Sequence, residues 1–139
     1  MNHSAICERI PHHGSMCLLE EVMDWDEQSL SCRATSHRLH DNPLRGHGRL
    51  AAVAGVEYAG QAMALHGGLT GDEGAPRTGY LASVRNLDMV VDRLDDIESD
   101  LEIRVERMAG GADSFMYAFS VSADNRVLLS GRAAVRLME

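Results

Sequence analysis

The sequence predicts an α+β domain in which an antiparallel sheet covers one long helix, and three observations carry that expectation. Arg49 to His66 is rich in Ala, Leu and Met and ends at Gly67-Gly68, the composition and stop signal of a strong helix. The C-terminal part switches to period two. Leu101, Ile103 and Val105 alternate with Glu102, Arg104 and Glu106, while Phe115, Tyr117, Phe119 and Val121 share one parity of a second run. In a third run Val127, Leu129, Ala133, Val135 and Leu137 oppose Ser130, Arg132 and Arg136. Finally, 139 residues with 45% hydrophobic content suit a single domain spanning 1–139.

Taken in order, the elements are punctuated by Pro11, Pro43 and Pro76. Met16 to Met23 and Ser29 to Thr35 read as a strand pair joined through the polar Asp24 to Gln28. The helix follows. Gly79 to Met89 reads as a strand leading into the meander, and Asp92 to Asp100 as a solvated acidic connection. Gly110-Gly111 and Asp124-Asn125 supply residues that tolerate positive φ at the hairpin turns. Apolar residues occur on nearly every side of the helix, which one sheet cannot cover alone, so a dimer is expected.

Composition removes several function classes. Thirteen basic against 21 acidic residues give a net charge of −8, which argues against a nucleic-acid binder or a basic peripheral membrane protein. Every basic residue is arginine, so Schiff-base chemistry and a P-loop lysine are excluded. The first residues show no apolar signal core, and Leu50 to Leu65 is too short and too polar to cross a bilayer. Cys7, Cys17 and Cys32, an odd set without a C-x-x-C pair, suit reduced thiols. A cytoplasmic protein whose mature chain begins at Met1 is expected.

Within the helix, Glu57 and Gln61 lie one turn apart among Val53, Val56, Tyr58, Ala59, Ala62 and Met63. A carboxylate in such surroundings must be paired, hydrogen-bonded or protonated, because burying an unpaired charge costs several kcal/mol. General acids need that kind of setting. It is equally the setting of a carboxylate that only reaches a sheet edge and caps an amide. His47 stands between Gly46 and Gly48 just before the helix, where glycines allow unusual dihedrals and close approach of a substrate. None of the seven histidines forms H-E-x-x-H or another ligand spacing, so no metal is expected.

These residues together resemble the hotdog-fold β-hydroxyacyl-acyl-carrier-protein dehydratases of the FabA/FabZ type, and more closely the aryl-polyene-type subgroup. Ile10-Pro11-His12 followed by Met16-Cys17-Leu18-Leu19-Glu20-Glu21-Val22 is similar to the family's opening segments. Gly46-His47 is similar to the start of its G-H-F-P-G segment, and the interval from His12 to His47 matches. Glu57-Tyr58-Ala59-Gly60-Gln61 resembles the active-site turn of the central helix, and Tyr80 to Leu87 the strand after it. The interval from His47 to Glu57 is shorter than the family's, and the F-P-G-x-P-x-M-P-G bridge is missing.

The resemblance implies a hotdog fold and dehydration of a 3-hydroxyacyl thioester, on acyl-carrier protein or CoA, to the trans-2-enoyl thioester. It implies His47 as the base at the α-carbon, with His40, His37 or no histidine at all as the alternatives if His47 falls short, and Glu57 as the proton donor to the departing hydroxyl. Backbone N–H groups around Gly55 and Val56 are then expected to bind the thioester oxygen, with Gln61 beside them. Arg45, Arg49, Arg77 and Arg85 are candidates for gripping the carrier's phosphopantetheine phosphate. The acyl chain is expected between helix and sheet, near Met16, Met63, Leu65 and Met89. No cofactor is implied beyond the phosphopantetheine that carries the substrate. Partners are the carrier and a second subunit, either another copy or a related hotdog chain, with no nucleic acid and no membrane. The same fold also serves acyl thioesterases and non-catalytic acyl-binding subunits of synthase complexes.

Overall fold

The computed structural model describes residues 1–10, 16–71 and 79–137. The element order is α1 (His3–Arg9), β1 (Glu21–Trp25), β2 (Ser29–Ala34), short 3-10 turns at Ser36–Arg38 and Ala52–Ala54, α2 (Gly55–Thr70), β3 (Gly79–Met89), β4 (Leu101–Gly110), β5 (Ser114–Ala123) and β6 (Arg126–Leu137). Six antiparallel strands form one sheet in the order β1-β2-β4-β5-β6-β3 around α2, the hotdog arrangement. Register follows the alternating pattern. Leu30 opposes Val105, Cys32 opposes Ile103 and Ala34 opposes Leu101, all buried against the helix. Tyr117, Phe119, Val121, Leu129 and Ala133 continue that face across β5 and β6.

Asp124 and Asn125 both take positive φ, which closes the β5–β6 hairpin as the sequence predicts. The turn between β1 and β2 is held by Asp26, whose Oδ1 accepts from the amides of Gln28 and Ser29. Three boundaries differ from expectation. Met16 to Glu20 is not strand, and the buried Cys17, Leu18 and Leu19 pack it beneath α2 as an irregular segment. Residues 49–51 do not begin the helix. Ala51 bridges Arg93, and the Ala52 amide donates to the Asp92 carbonyl. At its other end α2 runs through Gly67-Gly68 to Thr70, whose hydroxyl donates to the His66 carbonyl.

The 92–100 connection is not merely solvated. Leu94 is fully buried, and Asp95 accepts from the Leu50 amide and pairs with Arg93, which holds its carboxyl well below the usual carboxylate range. The cysteines also depart from the sequence reading. Cys7 and Cys17 are joined in a disulfide, and Cys32 is the buried free thiol. The pairing was illegible because it needs α1, a seven-residue helix capped by Asn2, to lay Cys7 beside the segment carrying Cys17.

The two sheet edges are unlike. Strand β1 is short, bulged at Val22/Asp24 and covered by the N-terminus, with the Val22 amide donating to the Met1 carbonyl. Strand β3 is eleven residues long, pairs among the described residues with β6 alone, and exposes Tyr80, Val84, Leu87 and Met89. An edge of that length and greasiness is what monomeric proteins avoid. No helix among the described residues is long and apolar enough to cross a membrane.

Candidate active site

The N-terminal half of α2 is built for close approach to the sheet. A Cβ on Gly55 would lie 2.7 Å from a Leu129 methyl, so any larger residue there would require the Leu129 side chain to move. The Gly55 amide is already engaged by the carbonyls of Ala52 and Val53, so Gly55 acts through packing and its N–H is not the free oxyanion donor the sequence reading assigned. One turn on, Gln61 is 1% exposed and is bonded at both ends of its amide. Its Oε1 accepts from the Leu18 amide at 2.9 Å and its Nε2 donates to the Met16 carbonyl at 2.7 Å. The same Nε2 lies 3.5 Å from Glu57 Oε1. The predicted Glu57-Gln61 stripe is therefore real, with Gln61 binding the 16–18 segment.

Glu57 is half-buried, not sunk in the apolar interior, and stands in the first turn of α2, where the helix amides favour negative charge. Val56 beside it is half-buried. Tyr58, fully buried on the neighbouring face, is satisfied by Ser36 Oγ at 2.8 Å and Asn42 Nδ2 at 3.0 Å, and burial raises its pKa.

His47 sits at the tip of a tight turn in which Gly46 and Arg49 exchange both backbone hydrogen bonds. His47 and Gly48 both have positive φ, 54° and 77°, so the flanking glycine and a tolerant histidine permit the turn, and the imidazole is exposed. The two substitutes considered for it divide. His40 is exposed, but His37 is fully buried with Nε2 3.0 Å from the carbonyls of Ile97 and Ser99, and burial lowers its pKa. His37 is architecture and cannot swing into a site. His12, His13 and Arg77 lie outside the described residues.

Among the arginines, Arg49 and Arg85 are exposed. Arg45 is not a surface grip: its side chain is 13% exposed, faces Asp95 at 4.0 Å and donates to the His37 carbonyl. Met63 and Leu65 are core residues, whereas Met16 and Met89 are exposed, so these four do not line one tunnel. A cavity of about 350 Å³ opens on Cys17, Leu18, Ser36 and Asn42, and neither Glu57 nor His47 lines it.

Sequence reasoning missed the polar cluster at the other end of α2. His66 Nδ1 lies 2.8 Å from Tyr117 Oη, Arg107 donates to that hydroxyl at 2.9 Å, and Arg107 also reaches Thr70. The isolated His66 gave no sequence signal, because its partners are Tyr117 of β5 and the Asp26 carbonyl in the β1–β2 turn. Nor did sequence spacing show that His3 joins Cys7 and Cys17, with ligand atoms within 4.8 Å of one another.

The family model described as ApeP dehydratase, ApeP-like, matches residues 4–138. The dehydratase heterocomplex ApeI:P from Xenorhabdus doucetiae superposes with a TM-score of 0.83 at 21% identity, covering 96% of this chain and 91% of that one. A thioesterase from Haemophilus influenzae matches at TM-score 0.65 and 15% identity over 86% of this chain and 78% of its own. The PaaI protein from the Escherichia coli phenylacetic acid degradation operon matches at 0.65 and 12% over 96% and 88%. A search of curated proteins found no match. The structural likenesses establish the fold.

Proposed function

This chain belongs to the ApeP-like dehydratase family, and on that premise we propose that it takes part in removing water from a 3-hydroxyacyl thioester on acyl-carrier protein or CoA to leave the trans-2-enoyl thioester. The observation that carries the site assignment is the Glu57-Gln61 pair, a half-buried carboxylate one turn before a glutamine that anchors the segment beneath it.

Loss of water requires a base at the α-carbon and an acid at the departing C3 hydroxyl. Glu57 supplies the acid: half-burial limits competing water, while the Gln61 amide fixes one carboxylate oxygen. His47 is the candidate base, and its place at an exposed turn tip suits reaching into a neighbouring subunit's site. The long apolar edge of β3 is where that second hotdog subunit docks, another copy or a related chain, continuing the sheet. A heterocomplex among the similar structures favours the related chain. Val56, next to Glu57 at the helix start, keeps the role of oxyanion donor, and Arg49 and Arg85 remain available to the carrier's phosphate. The phosphopantetheine arm arrives with the substrate.

The test is to supply 3-hydroxyacyl thioesters on carrier and on CoA to the chain, alone and with co-expressed hotdog partners. Enoyl absorbance that disappears in Glu57→Gln supports the assignment. Release of free thiol would instead make it a thioesterase. Full turnover in Glu57→Gln, with activity supplied by the partner, would make it a non-catalytic subunit.

A further inference from the structure

We propose that, once its thiols are reduced, the cluster of His3, Cys7 and Cys17 binds one thiophilic divalent cation of the zinc class. His3 Nδ1 lies 2.6 Å from the Leu19 carbonyl oxygen, which can only accept, so Nδ1 carries the proton and donates it. The neutral ring then presents the Nε2 lone pair on its other side, 3.5 Å from Cys7 Sγ. In the disulfide form neither sulfur has a proton to offer that lone pair. An imidazole oriented by a backbone carbonyl through one nitrogen, with the other aimed at two sulfurs, is the arrangement that metal-ligating histidines show. The three donor atoms lie within 4.8 Å of one another with the two sulfurs bonded, and breaking that bond lets the sulfurs part to the about 3.5–4 Å that zinc bonds of ~2.0–2.3 Å impose in a tetrahedral site.

Chemistry and access agree with the geometry. Two thiolates and an imidazole select zinc-class ions over magnesium or calcium. His3 and Cys17 both border the cavity of about 350 Å³, which gives an entry path and leaves the fourth position to water. The disulfide and the metal are alternative states. A phosphine or dithiol reductant delivers two electrons, the S–S bond breaks, and two protons convert the sulfurs to thiols. Binding of the cation then releases those two protons. Either state ties α1 to Cys17, whose flanking Met16 carbonyl and Leu18 amide are the groups Gln61 grips.

The experiment titrates Co²⁺ into the full chain after phosphine reduction and removal of reductant, following thiolate-to-cobalt charge-transfer absorbance and then its displacement by Zn²⁺. The expected result is one ion per chain, no such band in the oxidised protein, affinity reduced by at least about tenfold in His3→Ala and in Cys7→Ser, and no change in Cys32→Ser. Circular dichroism verifies that each variant is folded. If Cys7→Ser does not fold, His3→Ala decides. Reduced protein that gives no charge-transfer band, a band undiminished in His3→Ala, or one lost in Cys32→Ser would overturn the proposal.

Discussion

At the C-terminal end of α2, His66 is fully buried and both ring nitrogens are occupied, Nε2 by the Asp26 carbonyl at 2.9 Å and Nδ1 by the Tyr117 hydroxyl. Arg107 covers that hydroxyl, stacks over Phe115 at 4.3 Å and ties down Thr70. At the N-terminal end, Gln61 is bonded just as completely, but the carboxylate beside it remains half-buried, next to an irregular segment in place of a strand. At one end the titratable groups are tied into the buried interior, and at the other the acid stands at the half-buried boundary of the helix. A buried titratable group enclosed on all sides is a fastener, whereas one left at the boundary is available for proton transfer.

The comparison is broken most forcefully at Glu57. Glu57→Gln keeps the shape and the contact with Gln61 but removes the acid-base group, so dehydration is expected to fall by about 10²–10⁴ with the melting temperature unchanged. A variant that loses stability along with activity would place Glu57 among the fasteners. Gln61→Ala should lower stability and turnover together, because Gln61 also contacts the Glu57 carboxylate. It orphans the buried Leu18 amide and the Met16 carbonyl, a cost of about 2–3 kcal/mol that thermal denaturation measures.

How much of this was readable in the sequence follows from where partners lie. The meander, the positive-φ turn at Asp124-Asn125 and the Glu57-Gln61 stripe depend on periods of two or four, and those were legible. Residues whose meaning depends on distant chain were not. His66 needs Tyr117 and Asp26, His37 needs the carbonyls of Ile97 and Ser99, Arg45 needs Asp95, and Cys7 needs Cys17. The helix start was misplaced for the same reason, because the pairing of Ala51 with Arg93 outweighs a local helical composition.

The C-terminal fastener can be loosened on its own. Tyr117→Phe leaves the ring packing but withdraws the hydroxyl from His66 and Arg107, for an expected loss of about 1–2 kcal/mol. Turnover should stay at wild type, since nothing at Glu57 changes. Lost turnover in folded Tyr117→Phe would mean that the two ends of α2 are coupled.

The smallest expected effect is on pH. Burial lowers the pKa of both His37 and His66 below the ordinary imidazole value of 6.5, against the opposing pull of their backbone carbonyl partners. In the unfolded chain both titrate near 6.5, so below that pH the unfolded state binds protons the folded state does not, and stability rises with pH through this window. The contribution is therefore fully present above about pH 6.5 and is lost as pH falls toward each depressed folded-state value. Melting temperature should decline on acidification from pH 7, and His66→Gln should flatten part of that decline while lowering stability at neutral pH. If the slope is unchanged in His66→Gln but reduced in His47→Ala, the exposed turn and not the buried network governs the acid response, and the assignment of His66 as a neutral fastener fails.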